Sequence, residues 1–503
     1  MEKKIDKILI ANRGEIALRI IRSAREMNIK TVAVYSEADR LSPHVFLADE
    51  SVFIGKAAAS ESYLKIEKII DAALKTNSDA IHPGYGFLSE NAVFANAVEK
   101  AGLIFIGPSA AAIEIMGSKL AAKAAVSKYE TPLVPGTDKA IESPEEGINI
   151  AAEIGYPILI KASAGGGGKG MRIVDKMDDF EEQMLTAISE AKSAFGDGAV
   201  FIEKYIASPK HIEVQVLGDK YGNYVYLHER ECSIQRRHQK VIEEAPSPVV
   251  DEKIRKKLGE AAINAAKSCK YYNAGTVEFI MDREKNFYFL EMNTRLQVEH
   301  PVTEMITGID LVKEQIKIAR GDKLSFEQHE IPLNGHSIEL RVYAEDPENN
   351  FLPDTGKLTN YQIPAGFGVR VDDGFREGMD IPVYYDPMIA KLIVHGLNRE
   401  EAISRMIRAI EEYKISGIKN TLQFGKFVLE HPAFKDGSFD THFVKNYFEP
   451  QKLKEKNLKD DKLVAEIALR LFLNLKEEKE KSLKPLNDKA SKWREKRIKL
   501  RGN

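Results

Sequence analysis

The chain has 503 residues, enough for about three domains at ~150 residues each. Its 43% hydrophobic and 30% charged residues are typical of a globular protein, and a formal charge of −3 excludes a polycation that coats nucleic acid. Two cysteines exclude a disulfide framework, and no apolar stretch reaches the ~18 residues of a membrane span, so we expect a cytoplasmic protein without a membrane segment.

The first 110 residues alternate strand and helix patterns. KILIAN (7–12) and TVAVYS (31–36) are predicted strands, and the helical spacing of 16–27 lies between them. The pattern then repeats, which predicts a doubly wound parallel sheet. HPGYGFLSEN (82–91) follows a strand, where ligands reach an open sheet, although a simple turn fits equally well.

A smaller unit with a glycine loop follows at 134–204. YPILIKA (156–162), SAGGGGKG (163–170) and MRIVD (171–175) form a strand, a glycine loop and a strand. Gly165, Gly167 and Gly170 match G-x-G-x-x-G, but the strand after them excludes a dinucleotide fold, and Met171 excludes a Walker loop. The pattern favours a lid over ATP phosphates, with Lys161 as their cationic partner; the alternative is a flexible tip without a ligand.

The third region, 205–450, is mostly β-rich and contains a hairpin with two carboxylates. Strand patterns flank the polar segment DREKN (282–286); with a hairpin centre taken at 284.5, Glu278 and Glu291 lie 6.5 positions to either side and face each other. A divalent cation such as Mg²⁺ would neutralise them. The strand is expected to continue to Glu299, so that alternate polar residues share one face. We interpret them as metal ligands, an anion clamp and a base; a solvated outer face is the alternative. These residues are Glu291, Asn293, Arg295, Gln297 and Glu299.

A dense group of cations occupies 228–240, which we interpret as a loop. The absence of interleaved aromatic residues argues against nucleic acid. A pocket for bicarbonate or phosphate fits better, and a solvated loop remains the alternative. The cations are His228, Arg230, Arg236, Arg237, His238 and Lys240. Arg341 lies among alternating apolar residues, so it is expected to be buried and paired.

The C-terminal residues 451–503 carry 17 Lys or Arg and 9 Asp or Glu, whereas the rest of the chain has a net charge of −11. An amphipathic stretch, LVAEIALRLFLNL (463–475), precedes a lysine-rich end that we expect to be loose.

Taken together, these motifs resemble those of biotin carboxylase, the ATP-grasp component of biotin-dependent carboxylases. The resemblance covers about 5–450 and rests on IANRGEIALRI, IHPGYGFLSEN, KASAGGGGKGMRIV, RRHQKVIEEAPSP, EMNTRLQVEHPVTE, LRVYAEDP and YYDPMIAKLIV. It implies an α/β and α+β protein with an N-terminal doubly wound domain, an ATP-grasp core with a glycine-rich lid, and a β-rich C-terminal domain. The expected boundaries are 1–114, a linker helix at 115–132, the B-domain lid at 133–204, the core and C-terminal domain at 205–450, and the basic extension at 451–503.

The resemblance also implies a role for individual residues. ATP would be held by Lys119, Lys161, Gly165, Gly166, Gly167, Gly168, Gly170, Met171, His211 and His238, with Glu203, Lys204 and Ile206 at the adenine. Mg²⁺ or Mn²⁺ would be bound by Glu278, Glu291 and Asn293, and bicarbonate by Lys240, Arg295, Gln297 and Val298. Glu299 would be the base, Arg341 would stabilise the biotin enolate, and Tyr85 would lie near biotin.

The implied reaction is ATP-dependent carboxylation of biotin through carboxyphosphate. No Met-Lys-Met, the sequence that presents biotin on a carrier, occurs here. We therefore expect a homodimeric subunit that works with a separate carrier protein and a carboxyltransferase subunit. The acceptor is not specified; a pyruvate carboxylase is favoured, and an acyl-CoA carboxylase is the alternative. A carboxylate–amine ligase of the same superfamily is the rival activity. The extension either docks the carrier or transferase subunit or packs on its own body.

Overall fold

The N-terminal residues form a five-stranded parallel sheet. The structure is a computed structural model, which describes residues 4–137, 139–141, 143–162, 171–195, 198–237 and 239–482. The strand order is β3-β2-β1-β4-β5. Its strands are β1 (Lys7–Ile10), β2 (Lys30–Ser36), β3 (Glu50–Gly55), β4 (Ala80–His82) and β5 (Ile104–Phe105). The helices here are α1 (Gly14–Glu26), α2 (Pro43–Leu47), α3 (Ile66–Lys75), α4 (Ala92–Lys100) and α5 (Ala110–Gly117).

Both faces of this sheet are buried. Ile8 and Ile10 belong to one apolar core and Leu9 to another, because successive side chains of a strand point to opposite faces. Parallel sheets need helices on both faces. The predicted doubly wound arrangement is confirmed, although strand β3 was not predicted.

The glycine-loop region folds into a three-stranded antiparallel sheet with the order β7-β6-β8. Its elements are α6 (Lys119–Ser127), α7 (Pro144–Ile154), β6 (Ile158–Ala162), β7 (Met171–Val174), α8 (Phe180–Phe195) and β8 (Val200–Lys204). Strands β6 and β7 pair from Ile158↔Val174 to Lys161↔Met171. This pairing confirms the two predicted strands. The glycines between them lie outside the described residues: Gly165, Gly166, Gly167, Gly168 and Gly170.

An eight-stranded antiparallel sheet is the largest element of the fold, with the order β13-β12-β9-β10-β11-β14-β19-β18. Its region contains β9 (Lys210–Gly218), β10 (Tyr224–Arg236), β11 (Gln239–Ala245), α9 (Glu252–Ser268), β12 (Asn273–Met281), β13 (Phe287–Asn293), α10 (His300–Thr307), α11 (Leu311–Arg320), β14 (His336–Tyr343), β15 (Glu345–Asp346), β16 (Leu352–Pro353), β17 (Asn360–Gln362), β18 (Val369–Asp373), β19 (Met388–Gly396), α12 (Arg399–Glu412), β20 (Lys414–Ser416), α13 (Leu422–Glu430), α14 (Pro432–Lys435) and α15 (Phe443–Tyr447).

The cation-rich segment 228–240 is not a loop, so that interpretation was wrong. Most of it belongs to the paired strands β10 and β11. Its charges are compatible with a strand because they are paired inside the protein: Arg230 binds Glu213, and Arg236 lies 2.7 Å from Glu345.

The described residues fall into two compact units, one of 4–347 with 351–448 and a second of 348–350 with 449–482. The second unit contains the 33-residue helix α16 (Pro450–Ser482), which includes the amphipathic stretch 463–475. The lysine-rich end that was expected to be loose follows residue 475. Its first residues, 476–482, belong to α16, so the expectation was wrong for them, and 483–503 lie outside the described residues. Over the described part of the chain, no helix is both long and apolar enough to cross a bilayer.

Candidate active site

Three carboxylates lie side by side across neighbouring strands of the large sheet. Glu278 on β12 is paired with Glu291 on β13 and with Glu213 on β9. The predicted facing of Glu278 and Glu291 is therefore confirmed. Paired side chains have their Cβ atoms ~5 Å apart, and like charges at that distance repel. The row therefore needs nearby cations.

Lys240 on β11 supplies one of these cations. Its Nζ lies 2.9 Å from Glu278 Oε1 and 2.7 Å from Glu299 Oε1, and it also binds Glu213. His211 Nε2 lies 3.0 Å from Glu278 Oε2. Burial alone would raise the pKa of Glu278, but Lys240 and His211 outweigh it and lower that pKa. Glu278 is therefore an ionised ligand.

Glu291 has a different environment. The residue as a whole keeps part of its surface exposed, but the protein atoms around its carboxyl partly desolvate that group. This desolvation and the charge of Glu278 raise the pKa of Glu291, and the charge of Lys119, at the start of α6, acts in the opposite direction. Glu291 thus lies in a region of excess negative potential. A divalent cation would relieve that excess.

The donor set fits a hard cation. Two carboxylates face each other, and Asn293 adds an amide at the end of the same strand. Asn293 Nδ2 donates to Glu278 Oε1 at 2.9 Å, and its Oδ1 accepts from Arg295 Nη2 at 3.0 Å. The amide oxygen therefore already faces a positive charge. Carboxylate and amide oxygens are the ligands that Mg²⁺ prefers.

The predicted strand through Glu299 was wrong, because β13 ends at Asn293. The following turn nevertheless brings the expected side chains together. Arg295 Nη1 donates to Gln297 Oε1 at 2.7 Å, and Gln297 Nε2 donates to Glu278 Oε1 at 3.2 Å. The convergence results from the turn into α10 and not from a shared strand face.

Glu299 is the residue before α10, and its side chain is fully buried. Its two oxygens bind different cations: Oε1 binds Lys240, and Oε2 lies 2.8 Å from Arg341 Nη2. Burial would raise the pKa of Glu299, but Lys240 and Arg341 lower it well below its ordinary value. Glu299 is thus an ionised acceptor held between two cations.

Arg341 on β14 is buried and paired, as expected. Its Nε donates to Glu243 Oε1 at 2.7 Å, and Nη1 lies 3.5 Å from the Tyr343 hydroxyl. Lys391 on β19 is paired with Arg341 across the sheet, and its Nζ donates to the Val298 carbonyl at 3.0 Å. Both cations have buried carboxylate partners: Arg341 has Glu243 and Glu299, and Lys391 Nζ lies 3.3 Å from Glu15 Oε2.

The lid region contains a second ion cluster. Glu203 on β8 binds both Lys161 and Lys123. Burial would raise the pKa of Glu203, but the two lysines outweigh it and lower it. The neighbouring amide of Lys204 donates to the Pro135 carbonyl at 2.7 Å. Lys161, which Glu203 binds, lies near the end of β6, just before the glycine residues in the sequence.

The remaining predicted residues are placed as follows. Met171 begins β7 and is exposed, and Ile206 is half-buried after β8. Tyr85 is half-buried, with its ring 5.8 Å from Lys391 Nζ. His238 lies outside the described residues.

Six charged residues of these clusters were not predicted: Glu213, Lys123, Glu90, Glu243, Lys391 and Glu15. Glu213 had a local signal, since His211, Glu213 and Gln215 alternate along a strand as the residues of the hairpin do. Glu90 binds Arg295 Nε at 2.7 Å across 205 positions, and no local pattern reveals such a pair.

Comparisons with known proteins identify the family of the chain. Family models match residues 4–113 (Biotin carboxylase, N-terminal domain), 118–327 (Carbamoyl-phosphate synthase L chain, ATP binding domain) and 339–446 (Biotin carboxylase C-terminal domain). The chain is 53% identical over 441 residues to a pyruvate carboxylase subunit of Methanothermobacter thermautotrophicus, covering 88% of this chain and 90% of the relative. It is also 53% identical to the biotin carboxylase of a Nostoc species, covering 88% and 99%.

Solved structures give the same answer. The biotin carboxylase–β,γ-ATP complex from Campylobacter jejuni has a TM-score of 0.83 and 50% identity, covering 88% of this chain and 99% of that one. The biotin carboxylase domain dimer of Hydrogenobacter thermophilus 2-oxoglutarate carboxylase, with MgADP, ADP and bicarbonate, has a TM-score of 0.81 and 48% identity, covering 89% and 100%. The chain therefore belongs to the biotin carboxylase family, the ATP-dependent ligase components of biotin-dependent carboxylases.

Proposed function

We propose that this chain carboxylates biotin on a separate carrier protein, using ATP and bicarbonate. The observation that carries the proposal is the position of Glu299 between Lys240 and Arg341, next to the Glu213–Glu278–Glu291 row. This arrangement combines a base, an anion site and a cation site in one cleft.

In the first step, Lys240, Arg295 and Gln297 bind bicarbonate, and Glu299 accepts its proton. A bicarbonate oxygen attacks the γ-phosphorus of ATP, the bond to ADP breaks, and carboxyphosphate forms. Glu278, Glu291 and Asn293 would hold Mg²⁺, which supplies charge neutralisation at the phosphates.

In the second step, carboxyphosphate splits into CO₂ and phosphate. The phosphate takes the proton from the biotin ureido nitrogen, and the resulting enolate, paired with Arg341, forms a nitrogen–carbon bond with CO₂. A closed lid over the cleft keeps carboxyphosphate from water.

The test is ADP release by the purified chain with Mg-ATP, with and without bicarbonate and free biotin, compared with Glu299→Gln. We expect release to require bicarbonate, to rise with biotin, and to fall at least 100-fold in the variant, since general base catalysis contributes about 10²–10⁴-fold. ATP turnover indifferent to bicarbonate and biotin would instead favour the carboxylate–amine ligase.

For the acceptor, we propose pyruvate, with an acyl-CoA as the alternative. Support comes from the similarity to the Methanothermobacter pyruvate carboxylase protein, but the equally similar biotin carboxylases do not discriminate. Assay of the reconstituted enzyme with pyruvate and with acetyl-CoA or propionyl-CoA tests the assignment directly.

We also propose a homodimer and a partner contact through the extension. Support for the homodimer comes from the similar biotin carboxylase domain of Hydrogenobacter thermophilus, which was solved as a dimer. In α16, only Glu466, Arg470 and Asn474 interrupt the apolar stretch 463–475, whose large side chains are exposed. A helix this apolar is usually buried by a partner. We propose that α16 docks the carrier or transferase subunit. The cytoplasmic location of the protein stays a prediction.

A further inference from the structure

Glu243 is a buried carboxylate whose one side-chain hydrogen bond among the described residues is with Arg341. It lies on β11 and its side chain is fully buried. Its Oε1 accepts from Arg341 Nε at 2.7 Å, whereas Oε2 has no hydrogen-bonding partner among the described residues. A buried carboxylate with one cationic partner strongly constrains the position of that partner.

The guanidinium of Arg341 has two anionic partners, and we expect the reaction to change the charge of only one of them. Nη2 donates to Glu299 Oε2 at 2.8 Å, and Nε donates to Glu243. Glu299 becomes neutral when it accepts the proton of bicarbonate, so its attraction for Arg341 weakens during the reaction. Glu243 takes no part in that proton transfer. Burial raises the pKa of Glu243 to about 7, although the charge of Arg341 opposes that rise. Above this pH, Glu243 therefore remains as the anionic partner.

The backbone around this pair is also fixed. Strands β11 and β14 are paired at Ile242↔Leu340 and Glu243↔Glu339. Thr421 Oγ1 donates to the Arg341 carbonyl at 2.9 Å and accepts from the Tyr343 amide at 3.0 Å. Since the backbone is held in this way, the side chain of Glu243 decides the direction of the guanidinium.

We propose that Glu243 is a positioning residue, which holds Arg341 directed at the biotin enolate after Glu299 has been protonated. The inference rests on the proposed function, because it assumes that Arg341 acts in the second step. It does not concern ATP cleavage. The loss of Glu243 should therefore affect carboxylation of biotin and leave bicarbonate-dependent ATP cleavage nearly unchanged.

Glu243→Gln keeps the shape of the side chain and removes its charge. We expect kcat for carboxylation of free biotin to fall about 10- to 100-fold, since a displacement of about 1 Å costs about 100-fold. Bicarbonate-dependent ADP release without biotin and the KM for ATP should stay within about twofold. Glu243→Asp, which keeps the charge but shortens the side chain, should show the same split and serves if the Gln variant folds poorly.

Glu339→Gln is a matched control. Glu339 is also fully buried and lies directly opposite Glu243, but neither of its oxygens has a hydrogen-bonding partner among the described residues. Its substitution removes a buried carboxyl without touching the hold on Arg341. We expect the carboxylation rate of this variant to stay within about threefold of the unaltered protein.

A double-variant cycle separates positioning from a general structural effect. In Arg341→Ala, the further change Glu243→Gln should reduce biotin carboxylation no further, because the two residues act as a unit. Multiplicative losses, equal losses in Glu243→Gln and Glu339→Gln, or full activity of Glu243→Gln would each overturn the inference. The unaltered protein tests the proposed function separately, through its own dependence on bicarbonate and biotin.

Discussion

At the residue scale, the anion site depends on a partner far away in the chain. Arg295 Nε donates to Glu90 Oε2 at 2.7 Å, and Glu90 Oε1 also accepts from the Thr294 amide at 3.0 Å. Glu90 thus connects the loop after β4 to the turn that carries Arg295. The geometry of the bicarbonate site is therefore shared between two distant segments.

We predict that Glu90→Gln raises the KM for bicarbonate about 10-fold and leaves the KM for ATP unchanged. A hydrogen bond to a charged group contributes about 1.5–3 kcal/mol, of which part is retained by the amide. This KM is measured by following ADP release at increasing bicarbonate concentrations. Glu37→Gln, a change at a carboxylate outside the clusters described above, is the control; an equal effect there would contradict the prediction.

A second residue-scale prediction concerns His44, a fully buried side chain in the N-terminal domain. Burial lowers the pKa of His44 from 6.5 to about 4, and Arg13 adds to the effect while Asp39 opposes it. Between these values the unfolded chain binds a proton that the folded chain does not. The free energy of unfolding therefore falls as the pH is lowered, by about 2 kcal/mol at pH 5 from this residue.

We expect His44→Leu to reduce the loss of thermal stability between pH 7 and pH 5, measured by calorimetry. His329→Leu is the control, since the side chain of His329 is exposed. If the two variants have the same pH dependence, the assignment to His44 is wrong.

The facing of Glu278 and Glu291 could be approximated from the sequence because a short hairpin is local. The register next to the turn, with Phe279 opposite Phe289, would place Leu290 opposite Glu278, and an irregularity between Glu278 and Phe279 shifts the pairing to Glu291. The contacts of Glu213, Lys240 and Glu243 could not be predicted, because they depend on the order of strands that are distant in sequence. Their burial and pairing are properties of the assembled sheet.

At the element scale, β14 carries Arg341 and packs against α13 through Gly425. A Cβ added to Gly425 would lie 2.5 Å from Leu340 Cδ2, and Leu340 is fully buried next to Arg341. This close approach fixes the distance between the helix and the strand. Little room exists for either element to shift.

We predict that Gly425→Ala destabilises the protein by about 1–2 kcal/mol, because overpacking costs about 1–3 kcal/mol and exceeds the helix preference of about 1 kcal/mol for Ala. Gly117→Ala in α5 is the matched control, since an added Cβ would meet no atom within 4 Å. Chemical denaturation compares them; a Gly425→Ala variant as stable as the control would contradict the packing argument.

The limits of prediction at this scale have identifiable causes. Polar alternation correctly indicated convergent side chains after Asn293, but it cannot distinguish a strand from a turn whose side chains converge on the same cleft. The segment 228–240 was misinterpreted because its charge suggested solvent, whereas partners such as Glu213 and Glu345 lie elsewhere in the chain.

At the scale of the whole molecule, we predict that deletion of 451–503 preserves the homodimer and activity on free biotin but weakens association with the carrier or transferase subunit. Light scattering on co-expressed chains measures both assemblies. Ile467→Ser with Leu471→Ser should weaken association, whereas Glu466→Gln with Arg470→Gln, changes on the polar stripe, should not. Unchanged association after deletion would exclude docking through the extension.

The doubly wound N-terminal sheet could be predicted from one chain because its strands and helices alternate locally. In the large sheet, β14 lies beside β11 with about ninety residues between them, and no periodicity encodes that neighbour. The carboxyl acceptor cannot be predicted from the sequence either. In the proposed reaction the site residues described above bind ATP, bicarbonate and biotin, and none of them contacts the acceptor.

The cluster of Glu203 with Lys123 and Lys161 has a consequence for the phosphate compounds that could bind there in the proposed reaction. Both lysines have an internal counter-ion. A phosphate group must therefore displace Glu203 before either lysine can bind it, and a single inorganic phosphate recovers little of that loss. ATP contributes additional contacts along its length, so it can compete where the released phosphate cannot. The carboxylate thereby favours a complete nucleotide over the fragments that turnover leaves behind.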